Sequence, residues 1–143
     1  MIDESGLAIG TTNMMDEAQI VMGPNDYEMI ELLKKLNVSR PIAVTLACLV
    51  KGKVITSHKV EMLTRLRQPE VSIAMRYLLK NNWIEVSEEK ISKGQGRPTK
   101  LYTLIVPVDQ IISVIEEKIL AENMLVMRNI EYLKKISDTE NIE

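Results

Sequence analysis

Gln68-Pro69-Glu70-Val71-Ser72-Ile73-Ala74-Met75-Arg76-Tyr77-Leu78-Leu79 carries its own start signal, and the alternating, glycine-rich stretch after it narrows the folds open to the chain. Gln68 reads as a turn residue and Pro69 as the first helical position, where a missing amide has no partner to lose. Val71, Ala74, Met75 and Leu78 then recur at helical spacing as one apolar stripe, with Glu70, Ser72, Ile73, Arg76 and Tyr77 toward the other side. Asn81-Asn82 is a stop, and Trp83-Ile84-Glu85-Val86 alternates as a strand does. Lys93-Gly94-Gln95-Gly96-Arg97-Pro98-Thr99-Lys100 is a basic turn in which Gly94, Gly96 and Pro98 permit tight bending. Leu101-Tyr102-Thr103-Leu104 returns as a second strand. The sum is a short helix followed by a hairpin with a cationic tip.

Upstream, residues 1–23 read as a flexible acidic arm, from which the run Ala18 to Met22 could dock on a partner subunit. Asn25 with Glu28 resembles a capping box, and Tyr27, Ile30, Leu33 and Leu36 predict a first helix over about residues 26–37. Ser39 can cap a second, largely apolar helix with Pro41 in its first turn and Gly52 at its end. Val54-Ile55-Thr56 reads as a short strand, and Ser57 as the cap of a helix running to about Leu66 with Val60, Leu63 and Leu66 inward. The expected domain therefore spans residues 24–106.

From Val108 to about Ser137 the pattern is helical again. Ile112, Ile119, Val126 and Leu133 recur every seven residues, Ile115, Ile130 and Ile136 widen the stripe, and Glu122-Asn123 interrupts it. A helix beyond the compact domain with this much apolar surface needs a partner. A second copy of the chain is the simplest, which makes residues 107–137 a dimerisation helix. The alternative is a helix folded back on its own domain. Residues 138–143 read as a frayed tail.

The net charge of −2 conceals a strong asymmetry. Residues 1–31 hold seven acidic and no basic side chains, residues 32–50 carry +3, residues 51–100 hold 11 Lys or Arg against five Glu, and residues 101–143 carry −4. The positive charge thus lies in the segment with the helix and hairpin, where phosphate contact would require it. No apolar run is long enough to span a bilayer, and the acidic start does not read as a secretory signal, so a cytoplasmic protein is expected. Cys48 is the one cysteine, set in the apolar run Ile42 to Val50, and reads as a buried structural thiol. A redox-sensing thiol would need exposure and a lowered pKa.

These elements form the outline of a winged helix-turn-helix, a mainly α fold with a small β-hairpin wing, here followed by the long C-terminal helix. In that arrangement Gln68 can pair bidentately with adenine, Arg76 can reach guanine or a phosphate, and Ser72 can serve either. Glu70 can accept from cytosine or favour its own helix N-terminus. Ile73 can touch thymine methyls or pack under the wing. Arg65, Arg67 and Lys59 suit backbone phosphates. In the wing, Lys93, Gln95, Arg97, Thr99 and Lys100 surround a Gly-Arg-Pro tip that can lie along a narrow minor groove.

The run Thr64 to Trp83, with Gly96-Arg97-Pro98-Thr99-Lys100-Leu101-Tyr102, resembles archaeal winged helix-turn-helix transcription regulators and is similar to the MarR, ArsR and TrmB-like groups. The resemblance covers about residues 25–106 and implies a homodimer on a pseudo-palindromic operator, helix in the major groove and wing in the minor. Two departures stand out. Ile73 occupies a position where many MarR-like helices place a basic residue, and the sugar-binding second domain of TrmB-like proteins has no counterpart, so a sugar effector does not carry over.

No cofactor or metal is expected. His58 and Cys48 are the only histidine and cysteine, too few for a thiolate-histidine sensor cluster, and His58 reads as a surface or packing residue. Ser-His-Asp catalysis would rest on that one histidine, and Gly94-Gln95-Gly96-Arg97 lacks the Lys-Ser/Thr ending of a phosphate-binding loop, so no enzyme is expected. The sequence points to a homodimeric regulator of transcription that binds double-stranded DNA, most simply a repressor. A winged-helix adaptor within a transcription or chromatin assembly is the alternative; the acidic arm favours either some protein contact or self-shielding of the basic face. An unidentified small-molecule effector could enter between the C-terminal helix and the domain, where Met62, Met75, Met124 and Met127 would supply adaptable surface or simply core.

Overall fold

The computed structural model describes residues 20–89 and 99–142. It contains α1 (Pro24–Lys35), α2 (Arg40–Gly52), β1 (Val54–Ile55), α3 (Ser57–Thr64), α4 (Gln68–Lys80), β2 (Ile84–Glu89), β3 (Thr99–Leu104) and α5 (Val108–Ile142). The chain divides into two units, Met1–Val106 and Pro107–Glu143. It is mainly helical, with a small antiparallel sheet and a long C-terminal helix, as the sequence indicates.

In the first unit α2 is the centre. Ala43 through Leu49 are buried without a break, so this helix is enclosed on every side along its middle. Ile30 and Leu33 of α1, Val60 of α3, and Val71, Ala74, Met75 and Leu78 of α4 complete the helical core, the last four being the stripe read from sequence. Met62, Met124 and Met127 are exposed, so of the four methionines Met75 alone is core. Cys48 is fully buried in α2, and burial, seconded by the Asp26 carboxylate, pushes its thiol up to about 12. Thr45 is also buried, and its hydroxyl has no hydrogen-bond partner among the described residues.

The helix starts differ from the sequence reading by one or two residues. Gly23, not Asn25, precedes the first turn of α1. Pro24 is the first helical residue, and the Asp26 carboxylate accepts the Gly23 N–H at 2.7 Å. Proline's fixed φ is itself helical, which places it inside the helix and not ahead of it. Asp26 also pairs with Lys51 at 3.3 Å, tying the start of α1 to the end of α2. Ser39 stands at the start of α2 without a side-chain capping bond. Thr56, not Ser57, caps α3, its Oγ1 accepting the Lys59 N–H at 3.1 Å. At the end of α2 the left-handed residue is Lys53 (φ 70°), with Gly52 still helical. Gly52 serves close approach instead: a Cβ there would lie 2.6 Å from Ile20 Cδ1, so Ile20 of the expected arm packs on its own chain. Residues 1–19 of that arm lie outside the described residues.

The sheet has the order β1-β3-β2, all antiparallel. Val54 faces Thr103 and Ile55 faces Tyr102, while Ile84 faces Leu104 and Glu89 faces Thr99. The expected alternation over residues 83–86 is absent. Trp83 and Ile84 are both buried, and Val86 is 42% exposed. Trp83 belongs to the end of α4, where its N–H donates to the Leu78 carbonyl across left-handed Asn82, a Schellman closure. Its ring meets Tyr77 edge-on at 6.0 Å. Beyond Ile84 the strand leaves the core, and Glu85 to Glu89 are exposed.

The second unit is α5, 35 residues long, or about 52 Å at 1.5 Å per residue. It runs unbroken through Glu122-Asn123 and on to Ile142, past the point where the sequence suggested fraying. No glycine or proline follows Pro107, so nothing stops the helix, and the Thr139 hydroxyl donates to the Lys135 carbonyl at 3.0 Å. Among the described residues no helix is long and apolar enough to cross a membrane.

Candidate nucleic-acid interface

Three residues join α3 to α4, and two of them fix the geometry. Arg65 adopts the left-handed conformation (φ 64°), and Leu66 is buried like a peg. Thr64 braces the turn, its hydroxyl donating to the Val60 carbonyl at 2.7 Å and accepting the Leu66 N–H at 3.2 Å. Helix α4 then begins at Gln68, one residue earlier than expected, with Arg67 as the residue before it. The Glu70 carboxylate accepts the Arg67 N–H at 2.9 Å. Of the two uses open to Glu70, the structure shows the helix-capping one.

With the apolar stripe inward, the outermost ridge of α4 consists of Pro69, Ile73, Arg76 and Lys80, all exposed. Ile73 is 55% exposed, and the hairpin tip under which it could pack lies outside the described residues. On the flank toward the sheet, Gln68, Ser72 and Arg76 stand one turn apart and line an open cleft of about 710 Å³. Its other wall is Thr99 and Lys100 of β3, and its end is Thr56, Ser57 and His58 at the start of α3. The structure therefore brings together Gln68, Ser72, Arg76, Thr99 and Lys100 from the sequence reading.

The remaining candidates are distributed. Arg65 lines a separate groove of about 350 Å³ with Arg40 and Glu31. Arg67 is exposed at the head of α4. Lys59 is half-buried, its backbone N–H held by the Thr56 cap. Lys93, Gln95 and Arg97 lie outside the described residues. In α5, Ile112, Val126, Ile130 and Leu133 are 40–64% exposed, and Ile115 and Ile119 are half-buried.

His58 and Arg40 are residues the sequence reading did not place at a site. His58 reaches the cleft because β1 pairs with β3, which sets the start of α3 beside Thr99 and Lys100. No local pattern signals a pairing between strands almost fifty residues apart. Among the described residues no group of three or more His, Cys, Asp or Glu could hold a metal ion.

No family model matches the chain, and no curated protein matches it. Among solved structures it is similar to a "possible transcriptional regulator" from Methanosarcina mazei Go1, with a TM-score of 0.53 and 12% identity over 70% of this chain and 82% of that one. At that identity the likeness is one of fold.

Proposed function

We propose that this chain is a sequence-specific, DNA-binding regulator of transcription built on a winged helix-turn-helix and acting as a homodimer. The observation that carries the reading is the face of α4. Gln68, Ser72 and Arg76 are aligned along one flank opposite Thr99 and Lys100, in the most basic part of the chain. The fold likeness to a possible transcriptional regulator supports it. Helix α4 would enter the major groove, with Gln68 and Arg76 addressing base edges and Ile73 offering methyl contact to thymine. Arg65, Arg67 and Lys59 would meet phosphates, and the segment around Arg97 the minor groove. Operator occupancy would repress by excluding the transcription machinery from its promoter, in the cytoplasm, with no catalytic step and no cofactor.

The exposed Ile73 also favours a second reading, docking of this ridge on a protein. Titration of the protein against a fluorescent duplex of its own upstream region and a scrambled duplex, across a salt series, separates the two. Preference for the native duplex that persists as salt rises is the expected result. Equal, weak binding that disappears with salt would overturn the regulator in favour of the adaptor.

A further inference from the structure

Charge is unevenly distributed along α5. Between residues 108 and 122 it carries Asp109, Glu116, Glu117 and Glu122 against Lys118 alone. Between residues 128 and 135 it carries Arg128, Lys134 and Lys135 against Glu131, and Asp138 and Glu140 follow near its end. The stretch between, Asn123-Met124-Leu125-Val126-Met127, has no charge, and its last four residues are 53–61% exposed. We infer that α5 pairs with α5 of a second copy in antiparallel orientation, about a two-fold axis close to Met124 and Leu125. This rests on the homodimer proposed above and gives it a direction.

The alignment comes from helix geometry. About that axis, residues face each other when their numbers sum to about 249. Ile119 then meets Ile130 of the second copy, and Ile115 meets Leu133. Glu116 and Lys134 are 18 residues apart, which is five turns, so they occupy the same edge of the apolar stripe. In an antiparallel pair the same edges meet, and Glu116 faces Lys134 of the second copy twice over, once on each side of the axis. A parallel, in-register pair would instead set the acidic stretch of each helix beside the acidic stretch of the other and the basic beside the basic, with Glu116 and Lys134 about 27 Å apart along the axis. Such flanking charges add little affinity, but they select orientation. The helix dipoles act in the same direction.

Sedimentation with distance measurement between spin labels decides the matter. A label on Thr139→Cys is attached near the exposed end of α5, while native Cys48 is buried. The antiparallel pair predicts about 45 Å between backbones at position 139, from the rise of 1.5 Å per residue. A parallel pair predicts about 10 Å between backbones, the spacing of packed helices. The short distance in a protein that sediments as a dimer would overturn the orientation and leave the dimer standing. A monomer at all concentrations would overturn both. Independently, Glu116→Lys should raise the dimer dissociation constant several-fold, and adding Lys134→Glu should restore it. In a parallel pair Lys134→Glu would not restore what Glu116→Lys changed, because residues 116 and 134 of the two copies would lie about 27 Å apart.

Discussion

Glu70 and Thr45 show how single side chains divide between stability and function. The Glu70 carboxylate closes the first turn of α4 on the Arg67 amide. Glu70→Ala should therefore cost about 1 kcal/mol of folding stability, the usual worth of a helix cap. Denaturant titration checks it: unchanged stability together with altered base preference would return Glu70 to the reading role. Thr45 presents the opposite case, a hydroxyl sealed in the core with no hydrogen bond among the described residues. Thr45→Val keeps the shape and removes the unmet group, and should raise stability by about 1 kcal/mol. A fall in the thermal midpoint would show that the hydroxyl has a partner. The inward stripe of α4 was legible in sequence because burial follows the 3.6-residue period. The same period put Ile73 on the outer side, where it is exposed, but the partner of Glu70 was not legible, because it depends on a contact that periodicity does not describe.

At the scale of elements, every described helix was legible and their ends were less so. Thr56 and Ser57 are equally good caps on composition. The choice falls to Thr56 because β1 delivers it in extended conformation, φ −95° and ψ 159°. The turn between α3 and α4 holds Arg65 left-handed, where a side chain costs energy that glycine avoids. Asn37, Lys53 and Asn82 share a positive φ, so the conformation marks a helix end, and the phosphate role proposed for the Arg65 guanidinium is tested separately. Arg65→Gly should thus stabilise the fold by about 0.5–1 kcal/mol while weakening DNA binding and lowering its salt slope by about 0.9, one phosphate contact. Thermal melting and salt-dependent anisotropy on the same sample read both effects. Weaker binding with an unchanged slope would take Arg65 off the phosphate backbone.

For the molecule as a whole, the hairpin was legible and its third strand was legible as a strand, but the β1–β3 pairing was not. That pairing brings Thr56 to His58 beside Thr99 and Lys100, and so builds the end of the cleft. The exposed apolar length of α5 was legible from its seven-residue repeat. A charge in its middle tests what that surface is for. Val126→Asp should shift the protein to monomer and weaken operator binding by on the order of ten-fold or more, since a buried unpaired charge costs well over the roughly 1.4 kcal/mol that a factor of ten represents. Sedimentation and duplex titration check the two effects together. Loss of dimer with full operator affinity would show that each subunit binds DNA alone.

Cys48 gives the chain a built-in clock. It is the only thiol, it is fully enclosed in the central helix, and it holds its proton to about 12. A thiol reagent at neutral pH can reach it only when the core opens, so the labelling rate times those openings without any substitution. The thiol also sets an alkaline limit. Once the pH passes the ordinary cysteine value of 9.0, the unfolded chain sheds a proton that the folded one keeps, and stability falls progressively toward pH 12. A labelling rate that slows when duplex DNA is added would show a ligand on one surface holding shut the helix at the centre.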